Sequence, residues 1–279
     1  MKISFFFEPP YISHTKGDLK RGSSMIRGQQ IAEYLGAKAN PTAGYQDDVM
    51  IYVKPPARTY RTIQPGEHTY IDILDSSQAE VDWLKQHPGV NVIVASQSAY
   101  DYLLSTLGRD NIVLIPQHHC NFERLKRRRG DNFVAGYINT LIELEAYMPM
   151  IKAACDNAGV ELKTLGRYES RQDVQKFYQG IDLQINWRTN SRLPELKNSL
   201  KLANAGSFGI PTIARPELGF KEYEGYYIPV QSREELAERI KELKQSRKLY
   251  ESYSSKNLAK AEDYHIENIA KLYRALAKA

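Results

Sequence analysis

The sequence lacks several features that would narrow its class at once. It has 2 cysteines in 279 residues. Cys120 and Cys155 have no C-x-x-C spacing, which excludes a disulfide framework and points to a reducing compartment, the cytoplasm. No apolar run approaches the roughly 18 residues that a membrane-spanning helix needs. The opening MKISFFFEPPYIS has one lysine and a very short apolar run, so it predicts a first β-strand and not a signal peptide. There is no G-x-G-x-x-G dinucleotide fingerprint, no H-E-x-x-H and no D-x-D pair suited to a divalent cation. Charge is nearly balanced, with 38 Lys+Arg against 33 Asp+Glu and a net +5. That excess permits attraction to nucleotide phosphates, nucleic acid or an anionic membrane surface and selects none of them.

What is present is enough for real cores. Hydrophobic residues make up 42% of the chain, while a mean hydropathy of −0.52 argues for a soluble protein. The length allows one large or two medium domains. The 19 tyrosines suit stacking on sugars or bases, and equally suit amphipathic core and surface positions.

Strands are predicted at 2–7, 48–54, 69–74, 90–95 and 112–115. Helices are predicted from Ser23 or Ser24 to Leu35, over 76–86, and from Ser96 or Ser98 to Leu107. Gly36 stops the first helix. A second series follows: strands at 132–138, 160–165, 181–187, 212–214 and 226–229, and helices at 140–157, 170–179 and 232–245. The last helix opens with the capping box Ser232–Glu235. Helical, charged sequence fills 248–279. Strands alternating with helices argue for parallel sheets covered on both faces. The expected domains are 1–125, 131–256 and a terminal helix at 257–279. Between the two series lies the basic run Lys126-Arg127-Arg128-Arg129. It reads as a solvated linker, with nucleic-acid binding as the competing reading.

The most informative stretch is Glu195–Ala214, ELKNSLKLANAGSFGIPTIA. Lys197, Lys201 and Asn204 recur at helical spacing and so fall near one line on one face. Ala205, Gly206 and Ser207 keep the next turn thin, so another backbone or a ligand can approach closely. Gly209 fits a helix C′ position, and Pro211 bars continuation. Two ammonium groups and an amide beside small residues suit a diphosphate and a ribose. Elsewhere, the first strand is followed by a glycine-bearing loop and a helix N-terminus, a natural anion site. That makes Gly22, Ser23, Ser24 and Arg27 candidates. Asp75, just past a strand, fits an acceptor contact or a helix cap. Gly136 is expected at a strand end, where a diphosphate could approach. His118, His119 and Cys120 are adjacent, which does not supply a closed tetrahedral metal site.

The run LKNSLKLANAGSFGIPTIA resembles the nucleotide-binding stretch of two-domain (GT-B) glycosyltransferases, nearest the retaining family 4. The pattern K-S-N-N-K-L-x-E-A-x-A-x-G-I-P-x-I-A is matched at Lys197, Lys201, Leu202, Ala205, Gly209, Ile210, Pro211, Ile213 and Ala214. The family's ribose-binding glutamate falls on Asn204, and its partner eight residues earlier falls on Leu196. The resemblance implies two Rossmann-like domains facing a central cleft, with C-terminal helices crossing back to the N-terminal domain. It implies transfer of a sugar from a nucleotide sugar to an acceptor that is a glycan, lipid or small molecule. It also implies that Arg167 and Lys201 neutralise the departing diphosphate. The first loop would face the cleft, and His118 or His119 would contact acceptor or sugar hydroxyls. The loop bearing Glu217, Leu218 and Gly219 would reach the donor. No metal and no cofactor beyond the donor are expected, since basic side chains do the work. No specific nucleic acid is expected either, and contact with a membrane surface is allowed. With both glutamates replaced, the alternative is a non-catalytic nucleotide- or sugar-binding protein on the same scaffold.

Overall fold

The computed structural model describes residues 1–8, 22–56, 59–63, 66–74, 77–188 and 193–278. Asp75 lies outside the described residues. Alternation of strands and helices produces two separate parallel sheets. The first contains β1 (Ile3–Phe6), β2 (Lys38–Ala39), β3 (Val49–Val53), β4 (Thr69–Asp72), β5 (Asn91–Val94) and β6 (Ile112–Leu114), in the order β2-β1-β3-β4-β5-β6. The second contains β7 (Val134–Ile138), β8 (Glu161–Leu165), β9 (Leu183–Asn186), β10 (Thr212–Ala214) and β11 (Ile228–Pro229), in the order β11-β10-β9-β7-β8. Every recorded pairing is parallel. The interior strands are largely buried, as parallel strands between helices must be, yet β4 and β9 carry the buried polar residues Asp72, Gln184 and Asn186. The two-residue β2 has too little pattern to be read from sequence.

In the first half, α1 (Ile31–Leu35), α2 (Gln78–Gln86) and α3 (Gln97–Leu107) cover the sheet. The turns before α1 differ from the expected regular helix. Residues Ser24–Gln30 form a π-helix, and neither Ser23 nor Ser24 is a side-chain cap, because Ser23 is already helical at φ −64°, ψ −40°. Gly28 sits against the ring of Phe7, where a Cβ would collide. Gly36 ends α1 in the left-handed region at φ +63°, as a C′ glycine does.

In the second half, α4 (Leu141–Asn157), α5 (Arg171–Gln179), α6 (Leu200–Ser207), α7 (Arg233–Gln245) and α8 (Arg247–Glu262) enclose the sheet. Ser170 and Asp173 form a reciprocal capping box on α5. α6 is shorter than its sequence pattern suggests. Lys197 precedes it in an extended conformation, φ −78° and ψ 161°, after a 3₁₀ turn at Pro194–Leu196. The thin turn of α6 admits a backbone, not a ligand: a Cβ on Gly206 would lie 3.1 Å from the Asn257 carbonyl of α8.

α9 (Ile266–Leu276) returns to the first sheet. Its Ile266, Ile269, Tyr273 and Leu276 join Phe5, Ile51 and Ile93 in one core. Where α8 meets α9, the chain is stitched to the segment leaving β6. His119 N–H donates to Tyr264 O at 3.0 Å, and Arg124 pairs with Glu262 and Glu267, each at 2.7 Å. The basic run is not a solvated linker. Arg127 pairs with the fully buried Asp182 at 3.0 Å, and Arg129 lies over the rings of Phe133 and Tyr250. Two of its four cations are thus docked on the second half. No helix among the described residues is long and apolar enough to cross a membrane.

Candidate functional site

Between the two sheets lies a cleft of about 540 Å³. Met25, Ile26 and Gln30 from the turns before α1 form one wall, and His118, His119 and Cys120 from the exit of β6 form its floor. The opposite wall belongs to the second sheet: the N-terminal end of α4, the segment Gly166–Tyr168 after β8, Arg171 of α5, and Leu200, Lys201 and Asn204 of α6. These groups follow β-strand C-termini, the ligand edge of an open parallel sheet.

Lys201 has the most unusual environment. Its stem reaches the cleft, but Nζ is sealed from solvent and has no hydrogen-bond partner among the described residues. Burial, reinforced by the nearby Arg188 charge, pushes its amine down to about 7 against the opposing pull of Glu217 and Glu143. A buried ammonium without a partner is unfavourable, so the site gains from any anion that meets it. Arg167 lines the same cleft from an exposed position. Thr140 caps α4, and Leu141 and Ile142 in its first turn line the cleft. That end of the helix carries positive partial charge.

The two histidines, equivalent in sequence, separate here. Both ring nitrogens of His118 face backbone carbonyls, Nδ1 toward His119 O at 3.1 Å and Nε2 toward Ile26 O at 2.8 Å. Burial holds its imidazole down at about 4. His119 accepts the Asn121 backbone N–H at Nδ1, 3.2 Å, so its proton belongs on Nε2. Burial, with His265 and His118 nearby, pushes it down to about 3. At neutral pH His119 is a neutral donor with no ring charge, suited to holding a hydroxyl and not to acting as a base.

Other candidates are placed differently. Arg27 points into the first core, paired with Asp72 at 2.6 Å and donating to Ile115 O at 2.9 Å. Gly22 neighbours the Tyr168 hydroxyl, and Ser24 is buried. It is Met25 and Ile26 that line the cleft wall. Gly136 is in the middle of β7, not at its end, and a Cβ there would strike Ile181 and Phe177. Its smallness serves packing. Glu217 is held by Arg188, whose Nε lies 2.7 and 2.9 Å from the two carboxylate oxygens. Leu218 is exposed, and Gly219 packs its backbone on Lys197. Asn204 lines the cleft, but its Oδ1 accepts the Cys120 N–H at 2.8 Å, and its side chain also meets the Tyr178 hydroxyl. Sequence reading missed Tyr168, Arg171 and Asn139. Each follows a strand end, which was the signal available. Arg171 is itself engaged by Glu123 at 2.7 Å. Glu262, His265 and Glu267 are close enough together to suggest a cation site, yet both carboxylates are paired with Arg124.

Two parallel sheets face one cleft, and the last helix crosses back to the first. Solved structures share this arrangement. S. aureus TarM, as a mutant in complex with fondaparinux, alpha-GlcNAc-glycerol and UDP, matches with a TM-score of 0.64 at 13% identity, over 82% of this chain and 55% of that one. The fold is GT-B. An alpha-glucosyltransferase in complex with UDP and a 13-mer DNA containing a HMU base matches with a TM-score of 0.52 at 10% identity, over the full length of both chains. UDP-GlcNAc 2-epimerase from Neisseria meningitidis, bound to UDP-GlcNAc, matches with a TM-score of 0.51 at 10% identity over 99% of each chain. This GT-B chain spans about half the length of TarM. No protein-family model and no curated protein matches it. At these identities the likeness establishes fold alone, and the fold hosts more than one reaction.

Proposed function

We propose that this GT-B protein is a glycosyltransferase that moves a sugar from a nucleotide sugar to an acceptor. One observation carries the reading: the buried Nζ of Lys201, unpartnered among the described residues, on a side chain that lines the cleft. In such a transfer the sugar–phosphate bond breaks and negative charge grows on the departing nucleoside diphosphate. A cation in a low-dielectric cleft stabilises that charge strongly. Lys201 is that cation, Arg167 at the rim is a second, and the N-terminal end of α4 adds oriented dipoles. His119 holds a hydroxyl through Nε2–H. Asn204, on the same wall, meets the ribose. Retention of sugar configuration follows the resemblance to family 4. No divalent cation is required, because basic groups meet the diphosphate.

UDP is the first probe, since three GT-B neighbours were solved with UDP or a UDP-sugar. Thermal-shift and calorimetric titration with UDP and uridine test the site. A UDP-specific stabilisation, followed by turnover of a UDP-sugar, supports the enzyme. If neither UDP nor another nucleoside diphosphate binds, the reading fails.

A second reading, binding without transfer, is favoured by one pair of observations. Asn204 directs its oxygen to Cys120 N–H, and Leu196 is buried at 2% exposure in a core shared with the first sheet. Neither position presents a carboxylate to a donor. Tight UDP-sugar binding with no hydrolysis or transfer would select this reading.

A further inference from the structure

Away from the α8–α9 crossing, the two halves meet a second time. The contact is made by two 3₁₀ turns of the second half, Pro194–Leu196 and Leu218–Tyr223, on helix α3 of the first. Glu222 Oε1 accepts the backbone N–H of Gln97 at 2.7 Å. Gln97 is the first residue of α3, so a carboxylate from one domain caps the positive end of a helix in the other. Ser98 Oγ donates to Glu195 O at 2.8 Å. Lys221 pairs with Asp101 at 2.8 Å. Leu193 and Leu196 pack into the core formed by Val81, Leu84, Val92 and Leu103 of the first half. The residue standing where the resembling family has its distant glutamate is thus an apolar plug in the neighbouring domain.

These turns also adjoin the charged groups of the cleft region. Leu196 is followed by Lys197, Asn198 and Ser199, and then by α6 with Lys201 in its first turn. The second turn begins just after Glu217, the partner of Arg188, and its Gly219 lies flat on the Lys197–Asn198 backbone.

We infer that the two turns are a clasp that holds the GT-B cleft closed on α3, with Glu222, Ser98 and Leu196 as positioning residues that fix the start of α6 and so place Lys201. The clasp couples domain closure to the environment of one amine. When it is shut, Lys201 Nζ is withheld from water; when it opens, the start of α6 moves with the turns and the amine is hydrated. Only the choice of ligand rests on the proposed function.

The test uses the full chain and the double variant Glu222→Ala/Ser98→Ala, neither residue lining the cleft. X-ray scattering without ligand should give a radius of gyration about 1 Å above the wild type, whose compact value is roughly 19 Å. The second readout is the pH dependence of UDP affinity, which a merely structural contact would not move. In the wild type, affinity should fall by roughly tenfold per pH unit between about pH 7.5 and about 9, because UDP selects protonated Lys201. In the open variant a hydrated amine stays protonated there, and the dependence should flatten. Should the double variant not give a cooperative melt, Ser98→Ala alone is measured in both assays, with smaller shifts in the same directions. Unchanged scattering overturns the clasp. Changed scattering with an unchanged pH slope overturns its coupling to Lys201. If the wild type binds no UDP, the functional reading fails alone, and scattering still decides the clasp.

Discussion

Asn204 Oδ1 accepts the backbone N–H of Cys120 at 2.8 Å, joining α6 to the segment that leaves the first sheet. The donor is part-buried, so truncation of the acceptor leaves an amide unsatisfied. Asn204→Ala should therefore lower stability by about 1–3 kcal/mol. Urea unfolding of the two proteins measures it. A change within about 0.5 kcal/mol would make this hydrogen bond irrelevant to the interdomain contact.

Lys201→Ala should fold normally, because removing a desolvated, unpartnered amine costs the native state little. It should weaken UDP binding by about 1.5–3 kcal/mol, roughly ten- to a hundredfold, and leave uridine nearly unaffected. Calorimetric titration of both ligands compares them. Equal UDP affinity in the two proteins would remove Lys201 from the site.

Proton linkage gives a related check on the wild type. With its amine held near 7 by burial, Lys201 is largely neutral at about pH 8.5, and a bound diphosphate draws a proton back onto it. UDP binding at that pH should take up close to one proton. Titration in two buffers of different ionisation enthalpy reads the uptake, which should vanish in Lys201→Ala. Binding without proton uptake would mean that the amine is already charged.

Acid should destabilise the fold in a window set by the buried histidines. His118 and His119 are depressed to about 4 and about 3, against an unfolded value near 6.5. The unfolded chain therefore binds protons first as pH falls. Their contribution is fully present above about 6.5 and is lost as pH drops through 4 and then 3, at up to ~1.4 kcal/mol per pH unit for each ring. Urea midpoints from pH 7 to pH 4.5 should fall, and His118→Gln should flatten the decline. A flat profile in the wild type would show that the rings are solvated.

The pair Arg27–Asp72 is enclosed, at 1% and 0% side-chain exposure. Arg27→Ala should cost about 3–5 kcal/mol through the uncompensated carboxylate. The variant Arg27→Met/Asp72→Leu should recover much of that stability. Thermal melts order the three proteins. A single variant as stable as the wild type would contradict the enclosed pair.

Sequence alone determined the alternation of strands and helices, the cap at Ser232, the stop at Gly209, and Lys201 as the residue to examine. These depend on local rules: periodicity, propensity and the needs of helix ends act within a few residues. Tertiary structure decided which polar groups are free. Arg27 and Arg167 look alike in sequence, yet one meets Asp72 in a core and the other borders the cleft. His118 and His119 are neighbours, but only the positions of the Ile26 carbonyl and the Asn121 N–H distinguish them. Lys197 left the helical face because its segment turns to follow Leu196 into the first domain. A side chain's chemistry is written in the sequence, but its partner comes from distant chain, and desolvation by that partner's surroundings decides whether a charge is paired, silenced or left for a ligand.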